Sequence, residues 1–215
     1  MTLLTGTELE RRQRYLRPDD RDRFTLATVL LKGAAAGWLS AAVEDIVIDR
    51  TCATCGAPHG RPRIVGHELH ASIAHSGGFV AVALSDVAAV GVDIEVVGDR
   101  RYEPLLDDVC TPDERSHVGS REDFYAYWTR KESVLKALGV GLDVPMTEIA
   151  VTPPTATPAV TTYRGNDLAA QMSDVSPAAG YVGAVTVLAS EPEPLDLTAG
   201  EGAEIVAAVL ADRAS

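Results

Sequence analysis

Three cysteines stand in 215 residues, and an odd number so small builds no disulfide framework. No apolar run approaches the roughly 18 residues of a membrane-spanning helix. The opening stretch, MTLLTGTELERRQRY, holds no apolar core of signal-peptide length. These absences predict a cytoplasmic chain with no membrane partner. Positive charge is also scarce, with 19 Lys and Arg against 31 Asp and Glu and a net charge of −12. That balance argues against nucleic acid as a partner, because binding phosphates along a duplex requires a basic surface.

The basic charge that is present is concentrated. Arg11, Arg12, Arg14, Arg17, Arg21 and Arg23 supply six of the 19 cations within one short segment. Such a cluster on an acidic protein suits a small polyanion. It equally reads as a solvated helix face balanced by Asp19, Asp20 and Asp22. The hydrophobic fraction of 46% and charged fraction of 23% are those of a globular chain. Its length accommodates one generous domain or two small lobes.

Periodicity predicts a helix over 19–39, with Phe24, Ala27, Leu30 and Leu31 at helical spacing and Asp19 or Asp20 as its cap. A short strand is expected over 46–49 and a loop over 51–63. Residues 79–84 and 89–97 read as two closely linked strands that should pair as antiparallel neighbours. Residues 99–108 read as a connection, and Thr111-Pro112-Asp113-Glu114 as a helix start. The clearest helix runs over 121–138, ended by Gly139 and Gly141. Residues 152–162 suggest a surface loop or edge. The run GYVGAVTVLA at 180–189 echoes GFVAVAL at 78–84, which hints at a duplicated lobe, and 201–214 reads as a closing helix.

Gly91-Val92-Asp93-Ile94-Glu95 is the strongest local feature. Strand side chains alternate faces, so Asp93 and Glu95 point the same way, about 6–7 Å apart at Cα. Val92, Ile94 and Val96 turn to the opposite, buried face. Paired carboxylates on a rigid strand form half a site for Mg²⁺, although an exposed strand bearing two acids is a common pattern without a metal. On the 121–138 helix, Trp128, Glu132 and Lys136 share one face, flanked by Lys131. A carboxylate between two ammonium groups suits a site that handles a metal and phosphates. His75, in Ser72-Ile73-Ala74-His75-Ser76-Gly77-Gly78, can donate to a phosphate, with the glycines permitting close backbone approach. Cys52-x-x-Cys55, with His59 and Cys110, raises the question of zinc. Only one ligand pair of the usual two is present, so no zinc site is expected, and no thioredoxin-like context supports redox chemistry.

G-V-D-x-E followed by W-T-x-K-E-S-x-x-K resembles the 4′-phosphopantetheinyl transferase superfamily, in its larger surfactin-synthetase-activating form. Gly60-Arg61-Pro62, the Ser72–Ser76 motif, Gly139–Leu142 and the basic N-terminal segment extend the likeness. The resemblance implies an α+β fold of two similar lobes, related by a pseudo-twofold axis. Each lobe would be a small, mainly antiparallel sheet with a long packed helix. The lobes would span 1–103 and 104–215 with the active site between them. It implies an enzyme, a monomer, that moves the 4′-phosphopantetheine arm of coenzyme A to a serine of an acyl, peptidyl or aryl carrier protein, in specialised metabolite biosynthesis. Asp93, Glu95 and Glu132 would hold Mg²⁺, or Mn²⁺ in its place, with Glu114 as a further acid. Glu132 would take the serine proton. Lys131, Lys136 and His75 would meet the diphosphate, Ser76 would contact coenzyme A, Arg11 would hold the 3′-phosphate and Arg61 would lie beside the adenine. Two departures stand out: Ala74 replaces a frequent Ser, and Glu8 stands where relatives carry a second Lys, leaving Arg12 or Arg14 to substitute. A Mg²⁺ phosphodiesterase or nucleotide hydrolase on the same acids, or an inactive coenzyme A-binding module that docks carriers, are the alternatives.

Overall fold

A computed structural model describes residues 3–52, 54–189 and 197–211. In chain order the elements are α1 (Gly6–Arg14), α2 (Pro18–Leu39), β1 (Ile48–Asp49), β2 (Arg63–Ile64), β3 (His70–Ser76), β4 (Phe79–Ser85) and β5 (Val90–Val96). The one-turn helices α3 (Leu106–Val109) and α4 (Pro112–Arg115) lead into α5 (Arg121–Leu138). β6 (Ile149–Val151), β7 (Val160–Tyr163), β8 (Gln171–Val175), β9 (Tyr181–Val187) and α6 (Gly202–Ala211) complete the chain. Of the helix expected over 201–214, residues 212–214 lie outside the described residues.

The bounds of α5 follow its end signals. Ser120 accepts the Asp123 amide at the start, and Gly139 closes the helix at φ +73°, a conformation that favours glycine. The start of α2 differs from expectation. Arg17 occupies the cap position without a side-chain bond and Pro18 opens the helix. Asp19 and Asp20 lie within the first turn, where their charge favours the helix N-terminus.

Strand pairing departs from the sequence reading. β4 pairs with β3, in a four-stranded antiparallel sheet ordered β1-β2-β3-β4, while β5 pairs along its whole length with β9, in a sheet ordered β5-β9-β8. The short turn between β4 and β5 suggested a hairpin, but glycines favour the distant partner. A Cβ at Gly183 of β9 would lie 2.6 Å from the Asp93 carbonyl oxygen, so only a glycine lets the two backbones register there. The echo between 78–84 and 180–189 corresponds to β4 and β9, each the second strand of a hairpin. The architecture is α+β with antiparallel sheets, built as two helix-on-sheet units: α2 on β3 and β4, and α5 on β5 and β9.

Serine hydroxyls join the two sheets. Ser72 Oγ accepts the Val92 amide at 3.0 Å, and Ser76 Oγ accepts the Val96 amide at 3.1 Å. β3 and β5 therefore run side by side and parallel, with side chains replacing a backbone ladder. The Val92 and Val96 edge amides are satisfied in this way instead of being left to pair elsewhere.

Helix α5 approaches β5 very closely. A Cβ at Gly91 would overlap the Ser133 carbonyl oxygen and lie 2.6 Å from the Ala137 nitrogen. The Ser133 and Thr186 hydroxyls bond at 2.6 Å beneath the same helix. Gly91→Ala must push α5 off the strand, and we expect a loss of about 1–3 kcal/mol or more, read as a lower denaturation midpoint. An unchanged midpoint would contradict this close packing.

Candidate active site

Gly91, Asp93 and Glu95 share the face of β5 that meets α5, and the helix brings Glu132 and Lys136 to that face. Val92 and Ile94 are buried on the other side as expected, but Val96, at the strand end, is 37% exposed. Asp93 is only 6% exposed. Lys136 Nζ donates to Asp93 Oδ1 at 2.7 Å and to the Val92 carbonyl at 3.0 Å. Asp93 Oδ2 is buried without a hydrogen-bond partner. Burial raises the Asp93 carboxyl to about 7, against the pull of Lys136 and with repulsion from Glu132 and Glu95. Burial likewise raises Glu132, again opposed by Lys136 and reinforced by Glu95. Three carboxylates thus face one ammonium, leaving two negative charges uncompensated when all are ionised.

Glu95 Oε2 accepts a 2.5 Å bond from Ser76 Oγ, which ties the strand acids to the end of β3. His75 precedes it. Burial holds this imidazole below its ordinary range, aided by the nearby Arg23 and Lys136 cations. The turn after Ser76 is fixed by Tyr181, whose hydroxyl accepts the Gly78 amide at 3.1 Å. At Gly77, φ is +53° and a Cβ would overlap that hydroxyl, so glycine is required there.

Each strand acid is turned to a local partner, Asp93 to Lys136 and Glu95 to Ser76. The oxygens of Asp93, Glu95 and Glu132 accordingly do not gather within 4.8 Å of one another. Among the described residues, the group that does so is Cys52, Cys55 and His59.

The structure does not bring Lys131 and Glu114 to this site. Both are buried, on the far side of α5, where Lys131 Nζ donates to Glu114 Oε2 at 2.5 Å, Val109 O at 2.7 Å and Met146 O at 3.2 Å. Glu114 also accepts the Thr111 and Val151 amides. With all three ammonium hydrogens engaged in the core, Lys131 has none left for a phosphate.

Arg61 reaches the C-terminal turn of α5, donating to the Ala137 carbonyl at 2.8 Å. It therefore caps a carbonyl of the last turn, where helical partners run out. Arg11 donates to the Pro58 carbonyl at 2.5 Å and borders a cavity of about 260 Å³ with Arg14, Tyr15 and His59. Arg12 is instead engaged by Thr25 and Asp22 on α2. Glu8 bonds Lys32 at 2.8 Å and the Thr5 amide, a role internal to α1 and α2. Sequence reasoning left Arg23 among the general basic cluster. It bonds the Gly77 carbonyl at 3.2 Å, pairs with Asp20 at 2.5 Å and lies near His75. Its spacing of three from Asp20 marked an exposed helix pair and carried no sign of this position.

No helix among the described residues is long and apolar enough to cross a membrane. Residues 89–186, from the start of β5 to the end of β9, match the sequence profile of the 4′-phosphopantetheinyl transferase superfamily. A putative 4′-phosphopantetheinyl transferase of Synechocystis is 31% identical over 65% of this chain and 58% of its own length. The 4′-phosphopantetheinyl transferase HetI of Nostoc is 29% identical over 70% of this chain and 66% of its own. A 4′-phosphopantetheinyl transferase of Bacillus subtilis is 27% identical over 70% and 67%. The chain thus spans less than two thirds of the length of the first two relatives. Among solved structures, the holo-[acyl-carrier-protein] synthase of Thermotoga maritima aligns over 49% of this chain and 65% of its own, with a TM-score of 0.41 and 22% identity. Residues 89–186, the segment that holds Asp93, Glu95, Glu132 and Lys136, are similar to the 4′-phosphopantetheinyl transferase superfamily.

Proposed function

We propose that this protein transfers the 4′-phosphopantetheine arm of coenzyme A to a serine hydroxyl of a carrier protein and releases 3′,5′-ADP. The observation that carries the reading is Asp93, a buried carboxylate with one oxygen lacking a partner, beside Glu95, Glu132 and Lys136. A divalent cation fits this donor set. It would occupy the unpartnered oxygen and offset the two excess negative charges, and hard carboxylate oxygens are what Mg²⁺ prefers. Asp93, Glu95 and Glu132 would hold the ion, whose contribution when bound is to neutralise charge on the coenzyme A diphosphate.

The chain's own groups account for the remaining steps. Glu132, with its carboxyl raised by burial, accepts the serine proton as the serine oxygen bonds to the β-phosphorus. The phosphoanhydride bond breaks and its electron pair leaves with 3′,5′-ADP. Lys136 meets the negative charge on the diphosphate, Arg23, close by at the end of β3, extends the cationic side of the site, and His75, whose imidazole burial keeps neutral, offers a ring N–H to a phosphate oxygen. Arg11 and Arg14, which border one cavity, receive the 3′-phosphate, so Arg14 stands in for the Lys absent at position 8. Residues 1–103 and 104–215 are the two lobes of this reading; β5, from the first, pairs with β9 and packs on α5 of the second, so a site on β5 would lie where the two are joined. Acyl, peptidyl or aryl carriers of specialised metabolism, met by a monomer, complete the reading.

Incubation with coenzyme A, Mg²⁺ and a panel of apo carriers, followed by intact-mass measurement, tests it. Gain of one phosphopantetheine on a carrier, with coenzyme A stable when no carrier is present, is the expected result. Coenzyme A consumption without a carrier would instead identify a hydrolase.

A further inference from the structure

The 50–62 segment between β1 and β2 brings together side chains that the acidic site does not use. Cys52 Sγ, Cys55 Sγ and a ring nitrogen of His59 lie within 4.8 Å of one another, with Cys55 Sγ 2.9 Å from His59 Nε2. The backbone is wound to make this happen. The Gly56 amide donates to Cys52 O at 2.9 Å, and the Cys52 amide to Ala57 O at 2.8 Å. Gly56 reverses the chain at φ +71°. The Cys52 sulfur accepts backbone amides of Cys55 and Thr54, contacts that favour a thiolate. At the stem, Arg50 and Gly60 exchange two bonds, the Gly60 amide to Arg50 O at 2.7 Å and Arg50 Nε to Gly60 O at 2.9 Å. A Cβ at Gly60 would lie 2.8 Å from Thr51 O, so the two strands of the stem touch.

This loop has no core of its own: none of the described residues from 50 to 60 is buried. Apolar packing therefore does not hold it, and backbone bonds within the loop and stem, with the Arg11–Pro58 contact, are what tie it down. A cross-link joining Cys52, Cys55 and His59 would add to those ties. A Cys52–Cys55 disulfide would use two of the three groups and leave His59 without a role. Two sulfurs and an imidazole match a soft-to-borderline divalent cation, whereas Mg²⁺ prefers oxygen.

We propose that Cys52, Cys55 and His59 form a zinc site, separate from the acidic site, that pins the 50–62 loop. Cys55 and His59 are exposed, so the fourth coordination position faces solvent and takes a water. The loop supplies Pro58, whose carbonyl accepts from Arg11, and His59 borders the same cavity as Arg14 and Tyr15. Zinc at the tip would thus fix one wall of that cavity, because metal binding stabilises the conformation that presents its ligands.

The full chain, purified under reducing conditions, is loaded with Zn²⁺ in the presence of excess Mg²⁺, dialysed and assayed for metal. One zinc per chain is expected. Co²⁺ in its place should give thiolate-to-metal charge-transfer absorption, which a carboxylate site does not produce. Cys55→Ser and His59→Ala should each lose the zinc and the absorption while keeping the far-ultraviolet circular dichroism of the fold. His59→Cys should retain both, and Asp93→Asn should leave both unchanged. The proposal is overturned if the loaded protein carries no stoichiometric zinc, or if Cys55→Ser retains it. A Cys52–Cys55 disulfide that persists under reduction would overturn it equally. None of these readings depends on transferase activity, so failure here and failure of the proposed function are distinguishable.

Discussion

Asp93→Asn is expected to abolish phosphopantetheinyl transfer and, without divalent cations, to make the protein more stable at pH 8. Opposite signs follow from one cause, a carboxylate held in a buried site short of partners. Its folded-state pKa is raised from 3.8 to about 7, so between those values the folded state binds more protons than the unfolded one. Stability is therefore greatest below the unfolded value and falls as pH climbs toward 7. At pH 8 the ionised Asp93 destabilises the metal-free fold by up to about 4 kcal/mol, at roughly 1.4 kcal/mol per pK unit. Asparagine removes that charge and leaves an unpartnered amide NH2 in its place, a penalty of about 1–3 kcal/mol for the group. The charge effect is the larger, so the variant should melt higher at pH 8 by several degrees, given about 2–4 °C per kcal/mol for a chain of this size. The difference should shrink toward pH 4, where wild-type Asp93 is protonated. Thermal melts across pH 4–8 in chelator, paired with carrier assays, provide the measurement. A variant that is less stable than wild type at pH 8 would refute the account of Asp93. Glu132→Gln serves as companion, with an expected loss of about 10²–10⁴-fold in transfer from removal of the proton acceptor.

The residues of this site differ in how legible they were. Period-two alternation placed Asp93 and Glu95 on one face, and Gly139 marked the end of α5. Those signals are local, and local rules are enough for them. The partner of β5 was not legible, because the close approach at Gly183 of β9 joins segments far apart in the chain. The surroundings of Lys131 were not legible for a related reason. Lys131 and Lys136 look alike on a helical wheel that lacks its neighbours, and only the fold shows that one faces β5 while the other faces the buried Glu114. Thr111 and Glu114 form a capping box in α4, so the sequence signal at Glu114 was that of a helix start. By count alone the cysteine pair offers too few ligands for a two-knuckle zinc site. The turn that folds His59 back onto that pair has no counterpart in the count.

Lys131→Met is expected to lower stability by about 3–5 kcal/mol, the usual consequence of removing one member of a buried ion pair. Lys131 is fully buried and Glu114 nearly so, at 0% and 4% side-chain exposure. Methionine fills the volume of the aliphatic stem but leaves the Glu114 carboxylate in the core without its counter-ion, and the Val109 and Met146 carbonyls without a donor. At roughly 2–4 °C per kcal/mol the melting temperature should fall by about 10 °C. Glu114→Gln alone should also destabilise, since it strands the ammonium. The double variant should lose less than the sum of the two, by at least about 1 kcal/mol, because neither charge then remains unpaired. A strictly additive double variant would show that the pair is not coupled. Kinetics separate this structural role from phosphate binding. Assayed well below its melting temperature, Lys131→Met should keep a KM for coenzyme A close to that of wild type, whereas loss of Lys136 should raise it. A large rise in KM with little loss of stability would return Lys131 to the diphosphate. The two lysines then divide the work of one helix: Lys136 keeps its charge at the strand acids, and Lys131 anchors α5 to α4 so that Glu132 meets Asp93.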